Sequence, residues 1–312
     1  MNWHGKRYYS YGSFLKNKFG EKIGKIPVDA GFSCPNRDGK LSRVGCIFCS
    51  DRGSGDFCKD FALPLKEQIS YAKSSLFRKW TSDKIIVYFQ PFSNTYGRFE
   101  DLKKKYEEAL SIENVAGLSI ATRPDCIDKN IAALLGEYSK NYHISVELGL
   151  QTIHQKTADF INRGYDLRVF EKAVESLKEK NIDIVVHLIF GLPFETDENI
   201  LESVEYLSQM GINGVKLQTL FVLKNTPLEK LYFDKVFSIL SEEKYIELVC
   251  QSIARLPKEI VIHRLTGDAP KNDLIAPLWS ANKREILNKI DSSLLKNDIY
   301  QGKARGNPEQ DR

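Results

Sequence analysis

No stretch of the chain approaches the roughly 18 consecutive apolar residues that a membrane-spanning helix needs. The N-terminus, Met1-Asn2-Trp3-His4-Gly5-Lys6-Arg7, has no apolar core segment of the kind that a signal peptide carries. Cysteine is scarce, with six in 312 residues, and three of these are clustered, which does not suit a disulfide framework. These absences predict a soluble protein of a reducing, cytoplasmic compartment with no membrane partner. A strong charge of either sign is also missing. The 45 basic and 41 acidic residues leave a net charge of +4, too small an excess to imply nucleic acid by itself. There is no internal repeat and no low-complexity linker.

The charge that is present is unevenly spread. Lys6, Arg7, Lys16, Lys18, Lys22 and Lys25 face only Glu21 before residue 26. Such a basic arm either binds phosphates or forms a solvated face. Trp3, Tyr8, Tyr9 and Tyr11 beside it either stack on bases or pack against the rest of the protein.

Apolar, β-branched runs then recur, bounded by turn residues: Lys25–Val28, Ile85–Phe89, Gly117–Ala121, Ile144–Leu150, Ile182–Ile189 and Gly214–Leu220. They read as buried strands of a parallel sheet. Between them lie amphipathic helices. Leu102–Ile112 places Leu102, Tyr106, Ala109 and Leu110 on one face, and Arg168–Lys180 does the same with Val169, Ala173, Val174 and Leu177. The alternation predicts an α/β protein of about six strand–helix units, fewer than the eight that close a full TIM barrel. An incomplete barrel and an open doubly wound sheet both fit. After Lys224 a helix is expected over Ser241–Arg255, a strand over Glu259–Arg264 and a last helix over Ser280–Leu295. A polar tail follows from Lys296, poorly ordered at its end.

The chemistry-bearing feature is a set of cysteines. Cys46-Ile47-Phe48-Cys49 is a C-x-x-C turn, and eleven residues separate Cys46 from Cys34. Three thiolates suit an iron–sulfur cluster with one iron left open, the mark of a reactive site. Cys58 completes a four-cysteine set that zinc could take, although only one C-x-x-C knuckle is present. A thioredoxin-like redox pair is a third reading. The cysteines alone leave all three open. Cys126 and Cys250 are isolated and read as free buried cysteines.

The wider pattern carries a resemblance. The cysteine loop with Phe48 before its last Cys resembles the cluster loop of radical SAM enzymes, whose first two cysteines usually stand closer together. The longer spacing resembles the catalytic subunit of Elongator and its bacterial relatives. Gly117–Asp125 resembles that subunit's third-strand motif. Val146–Ile153 followed by Asn162-Arg163-Gly164 resembles its fourth. His187–Pro193 resembles the fifth-strand motif of oxygen-independent coproporphyrinogen oxidases. Together these motifs span roughly Ala30 to Thr226. The opening Gly31–Gly39 and the later Leu265–Pro270 and Ala276–Ser280 resemble the bacterial radical SAM family of YhcC/YtqA type.

The resemblance implies a partial (βα)6 TIM-like radical SAM barrel over residues 26–232. A basic N-terminal extension over 1–25 and a C-terminal α/β extension with polar tail over 233–312 would flank it. It implies a [4Fe-4S] cluster on Cys34, Cys46 and Cys49, with S-adenosylmethionine on the free iron. Reductive cleavage would then give a 5′-deoxyadenosyl radical. Phe48, Gln90, Gln151, Arg163 and His187 stand at positions that contact the cofactor in such enzymes. Gln90 replaces part of a Gly-Gly-Glu motif, and His187 and Ala121 stand where the oxidases have Asp and Glu. Read without the family, Arg163 is a surface ion pair at a helix start and His187 a satisfied core histidine. The implied partners are tRNA and a reductant such as flavodoxin or ferredoxin. The implied reaction is modification of a wobble uridine. The Elongator reaction itself is not implied, because no acetyltransferase segment follows. A radical reaction on a small molecule or peptide, and a zinc-stabilised RNA-binding protein, are the alternatives.

Overall fold

The computed structural model describes residues 3–56, 58, 61–76 and 82–306. The end of the polar tail, 307–312, and the first two residues of the basic extension lie outside the described residues. The chain forms two compact units, Leu15–Leu150 with Asn162–Val185, and Met1–Phe14 with Gln151–Ile161 and Val186–Arg312.

Helix α1 (Tyr11–Phe19) leads into the first of these units. Then come β1 (Gly24–Val28), α2 (Leu65–Leu76), β2 (Ile85–Phe89), α3 (Phe99–Leu110), β3 (Val115–Thr122), α4 (Lys129–Ser139) and β4 (His143–Gln151). These strands lie side by side in chain order, each parallel to the next. After α5 (Gln155–Phe160), helix α6 (Leu167–Lys178) leads to β5 (Asp183–Phe190), which starts in this unit as the neighbour of β4. The second unit holds the later part of β5, then α7 (Asp197–Gln209), β6 (Gly214–Thr219), β7 (Val222–Leu223), α8 (Pro227–Phe233), α9 (Glu242–Arg255), β8 (Val261–Arg264), β9 (Leu274–Ala276) and α10 (Lys283–Lys296). Here β5, β6 and β8 adjoin in that order, and β7 pairs antiparallel with β9.

The apolar runs form these strands because both faces are covered. Every residue of β2 is buried, and Leu118, Ile120, Val146, Leu148 and Leu150 are fully so. Helix α6 buries Phe170, Ala173, Val174 and Leu177 at helical spacing, and its first turn is capped by Asp166, which accepts from the Val169 N–H. Full burial of an apolar side chain as large as Phe170 or Leu177 is worth about 1.5–3 kcal/mol. From β1 to β6 strand order follows chain order without reversal. A doubly wound sheet reverses at a switch point, so the incomplete barrel is the form this chain takes.

Capping moves some boundaries. The helix expected from Leu102 begins at Phe99, because Arg98 is extended. The last helix begins at Lys283, where Asn282 accepts from the Glu285 N–H, and Leu278–Ala281 forms a separate short 3-10 turn. The strand expected from Glu259 begins at Val261, since Ile260 N–H closes a turn on Pro257 O.

The N-terminal arm is packed. Ile262 N–H donates to Tyr9 O, Ser10 bridges in parallel to Ile262, and Tyr8 and Tyr9 are buried. Lys6 pairs with Asp291 and Arg7 with Asp298. Among the described residues no helix is long and apolar enough to cross a membrane.

Candidate cluster and cofactor site

The loop after β1 holds the three cysteines by backbone bonds and by a few buried polar side chains. Arg37 N–H and Asp38 N–H donate to Cys34 O at 2.8 and 3.1 Å, and Cys49 N–H closes on Cys46 O at 3.0 Å. Gly45 has φ +80°, and a Cβ there would lie 2.9 Å from Arg37 Nε, so a larger residue would be strained and would displace Arg37. That Arg37 donates to Cys49 O at 2.9 Å and Ser50 O at 2.6 Å, which pins the C-x-x-C turn. Asn36 is buried; its Nδ2 donates to Asn162 O at 2.6 Å and lies 3.6 Å from Cys46 Sγ. In return Asn162 Nδ2 donates to Gly45 O at 2.7 Å. The loop is thereby tied to the turn that follows α5.

Cys34, Cys46 and Cys49 are free and half-buried. The Cys49 thiol bonds to Cys46 and pulls its pKa down to about 7, with further help from Arg123, Asn36 and Arg37. The same bond and burial push Cys49 upward, as does the nearness of Cys46 and Cys34. The thiol set is thus disposed toward thiolate at one member, the form that binds metal. Among the described residues no three His, Cys, Asp or Glu side chains converge on a single-ion position.

Cys58 is buried among other charges. Its thiol is pushed up to about 12 by burial and by Asp29, while Arg52 opposes, and Arg52 also donates to Cys58 O. Cys126, which the sequence left isolated, stands within reach of the charge of Cys34, and burial raises its thiol to about 12. Arg123 forms a two-pronged pair with Asp125, at 2.9 and 2.8 Å, and its charge acts on Cys46. The stretch Thr122-Arg123-Pro124-Asp125 was visible in the sequence as a motif, but nothing local marked Arg123 as the cation beside the thiols.

Arg163 departs from the reading made without the family. It is not at a helix start and not a surface ion pair, but 1% exposed. It donates to Leu150 O at 2.9 Å and to Tyr165 O from two nitrogens, and it lies 4.4 Å from the Tyr165 ring centroid. It therefore fixes the end of β4 to the turn before α6. Gln151, the last residue of β4, has φ +70°. Its buried Oε1 has no partner among the described residues. A left-handed non-glycine backbone with an orphaned amide oxygen is the strain expected where a ligand binds. Phe48 is half-buried on the cluster loop and His187 half-buried on β5. Gln90, just past β2, donates to Ser54 O. Gln151 and His187 belong to the second unit, and the other named residues to the first.

Comparison with known proteins decides the family. Residues 34–207 match the model of the Radical SAM superfamily, and residues 212–296 match its Radical_SAM C-terminal domain. The chain belongs to the radical SAM superfamily. This radical SAM enzyme is 40% identical over 298 residues to YtqA of Bacillus subtilis (strain 168), covering 96% of this chain and 92% of that protein. It is 32% identical over 299 residues to YhcC of Escherichia coli (strain K12), covering 96% and 95%. It is thus a radical SAM protein of the YhcC/YtqA family. A partial likeness, 28% over 192 residues, links it to the tRNA uridine(34) acetyltransferase of Methanocaldococcus jannaschii, covering 59% of this chain and 35% of that protein. Among solved structures, Elp3 of Methanocaldococcus infernus with its N-terminus deleted matches at a TM-score of 0.66 and 17% identity. The match covers 89% of this chain and 64% of that one, and shows the shared fold.

Proposed function

We propose that Cys34, Cys46 and Cys49 each bind one iron of a [4Fe-4S] cluster, that S-adenosylmethionine binds the remaining iron, and that the substrate is a tRNA base, the wobble uridine. The observation that carries the RNA reading is the 28% likeness to a tRNA uridine(34) acetyltransferase. Three thiols on one pinned loop and an amide N–H 3.6 Å from Cys46 Sγ suit a cluster. The orphaned Gln151 Oε1 suits a hydrogen-bonding cofactor. When bound, the pair supplies reductive cleavage of S-adenosylmethionine and hydrogen abstraction by the resulting radical. In this reading Phe48, Gln90, Gln151 and His187 would help hold S-adenosylmethionine, Phe48 through its ring and the others through their polar groups. Arg163 would be the further cofactor-binding residue, a buried fork of donors suited to the methionine carboxylate.

The test of the substrate is the nucleoside profile of tRNA from a deletion strain, with binding of purified tRNA measured against salt. One wobble nucleoside is expected to change, and affinity to fall steeply as salt rises. An unchanged profile with a metabolite accumulating instead would move the substrate to small molecules.

Asn36 tests the cluster's surroundings. Asn36→Ala removes the N–H beside Cys46 Sγ and is expected to lower the cluster's reduction potential by roughly 30–60 mV, the equivalent of one hydrogen bond of about 1 kcal/mol. A redox titration followed by electron paramagnetic resonance reads this. An unchanged potential would leave Asn36 with the loop structure alone.

A further inference from the structure

The turn after β5 holds a residue that its backbone does not favour. Glu195 N–H closes on Leu192 O at 3.2 Å, with Pro193 second in the turn and Phe194 third at φ +69°. A turn with proline second and a positive φ third is of type II, and its third place normally goes to glycine or asparagine. Gly191, just before, meets the same need with glycine at φ +83°. A bulky residue in the left-handed region is strained, and such strain gathers at sites that bind ligands. Burial does not offset it, because Phe194 is 53% exposed. A lone exposed apolar side chain is ordinary surface, but one set on strained backbone is not.

The ring is placed rather than loose. Phe160 of α5 meets it edge to face, with centroids 4.8 Å apart and planes at 74°. The Lys156 ammonium, one turn earlier in α5, lies 5.7 Å from its centroid, and Lys156 is exposed. Two neighbouring acids are engaged. Asp159 accepts from Gln155 Nε2 at 2.6 Å, and Glu195 accepts from Thr152 Oγ1. The second of these bonds joins two turns. Thr152 follows Gln151, whose Oε1 has no partner among the described residues, and Glu195 follows Phe194. All of these residues belong to one unit. The two turns leave the C-terminal ends of β4 and β5, neighbours in the sheet. Ligands bind at that end of the strands in α/β sheets.

We infer that Phe194, steadied by Phe160 and flanked by Lys156, is the platform on which an unpaired base of the substrate RNA stacks. The inference rests on the RNA reading given above and names how the RNA would be held. A base that undergoes chemistry leaves its stack. An aromatic side chain replaces that stack for any base, since every base has a π-face. The cation beside the ring suits the phosphate of the stacked nucleotide. A protein partner fits less well. One exposed ring with a half-buried neighbour falls far below the roughly 800 Å² per partner that a stable protein interface covers.

The probes are synthetic anticodon stem-loop RNAs, each with 2-aminopurine at one loop position, a base whose fluorescence falls when it stacks. They are titrated across a range of salt with the anaerobically reconstituted protein and with Phe194→Gly, Phe194→Leu and Lys156→Gln. One loop position is expected to lose fluorescence on the wild type. Phe194→Gly and Phe194→Leu should remove that signal and weaken binding roughly ten- to a hundredfold, with the salt dependence kept. Lys156→Gln should make the slope of log affinity against log salt shallower by about 0.7, the share of one phosphate of a single strand. Thermal unfolding separates this role from a structural one. Glycine relieves a left-handed backbone, so Phe194→Gly should be at least as stable as the wild type. Unchanged affinity and fluorescence in Phe194→Leu would overturn the proposal, since that variant keeps apolar bulk without the ring. A wild-type dimer that Phe194→Gly dissociates, with RNA binding unchanged, would also overturn it and give the face to a second copy. If the wild type binds none of the stem-loops, the RNA reading itself fails, an outcome distinct from RNA that binds without regard to Phe194.

Discussion

Alanine in place of Cys34, Cys46 or Cys49 is expected to leave a folded protein that holds little iron and forms 5′-deoxyadenosine more than about a thousandfold more slowly, a loss of about 4 kcal/mol of barrier lowering. On the proposed ligation each thiolate would serve its own iron, so no neighbour could substitute for it. The fold should survive because the three side chains are only half-buried and the loop is held by other bonds. Arg37 on Cys49 O and Ser50 O, Asn36 on Asn162 O and Asn162 on Gly45 O all remain in each variant. Thermal unfolding of the metal-free proteins should therefore differ by only a few degrees. Cys58→Ala, Cys126→Ala and Cys250→Ala should keep their iron. Cys58 answers to Asp29, Arg52 and Asp56 rather than to the other thiols. If Cys58→Ala lost its metal as completely as Cys49→Ala, and the metal were zinc, the four-cysteine reading would replace the cluster.

The strands, the helices between them and the cysteine loop were legible in the sequence because each is a local pattern. Ile85–Phe89 is a short apolar run and became β2 with the same ends. Val169, Ala173, Val174 and Leu177 repeat at helical spacing and fell within α6. What could not be read is what depends on atoms brought together from distant positions. Arg163 resembles any polar residue before a helix until β4 ends beside it and its N–H groups meet Leu150 O and Tyr165 O. Asn36 looks like a loop residue, yet it bridges two segments 126 positions apart in sequence. The exposure of Phe194 was equally invisible, because an aromatic residue after Pro193 reads the same whether it turns inward or outward. Helix ends shifted by a few residues for a related reason: a cap such as Arg98 or Asn282 depends on backbone angles that side-chain patterning does not reveal.

The strand face that looked most ordinary carries the second large effect. Ile144–Leu150 reads as apolar, but alternate residues Ser145, Glu147 and Gly149 share one side of β4. Glu147 is fully buried there. Its carboxylate is paired with Lys25 from β1 and accepts from Tyr88 Oη of β2 at 2.8 Å and Ser119 Oγ of β3 at 3.0 Å. The Lys25 ammonium in turn sits 4.2 Å from the Tyr88 ring centroid. Four adjacent parallel strands are thus joined through one carboxylate. Lys25→Met keeps most of the stem's volume and removes the charge, leaving a buried anion without this cation. Breaking a buried pair in this way costs about 3–5 kcal/mol. Glu147→Gln should cost less, since its one amide oxygen can still accept from either Tyr88 or Ser119, which bond to different oxygens of the carboxylate. The double variant should be more stable than Lys25→Met alone, because replacing both partners removes the uncompensated charge. Urea unfolding of the four proteins closes the cycle, with an expected coupling of at least about 2 kcal/mol. Simple additivity of the two single changes would mean that Lys25 and Glu147 are screened from each other in solution and that backbone pairing and packing hold the strands without this ion pair. Strong coupling would make this carboxylate the electrostatic tie of β1 to β4, the strands on which the cysteine loop and the Gln151 turn are carried.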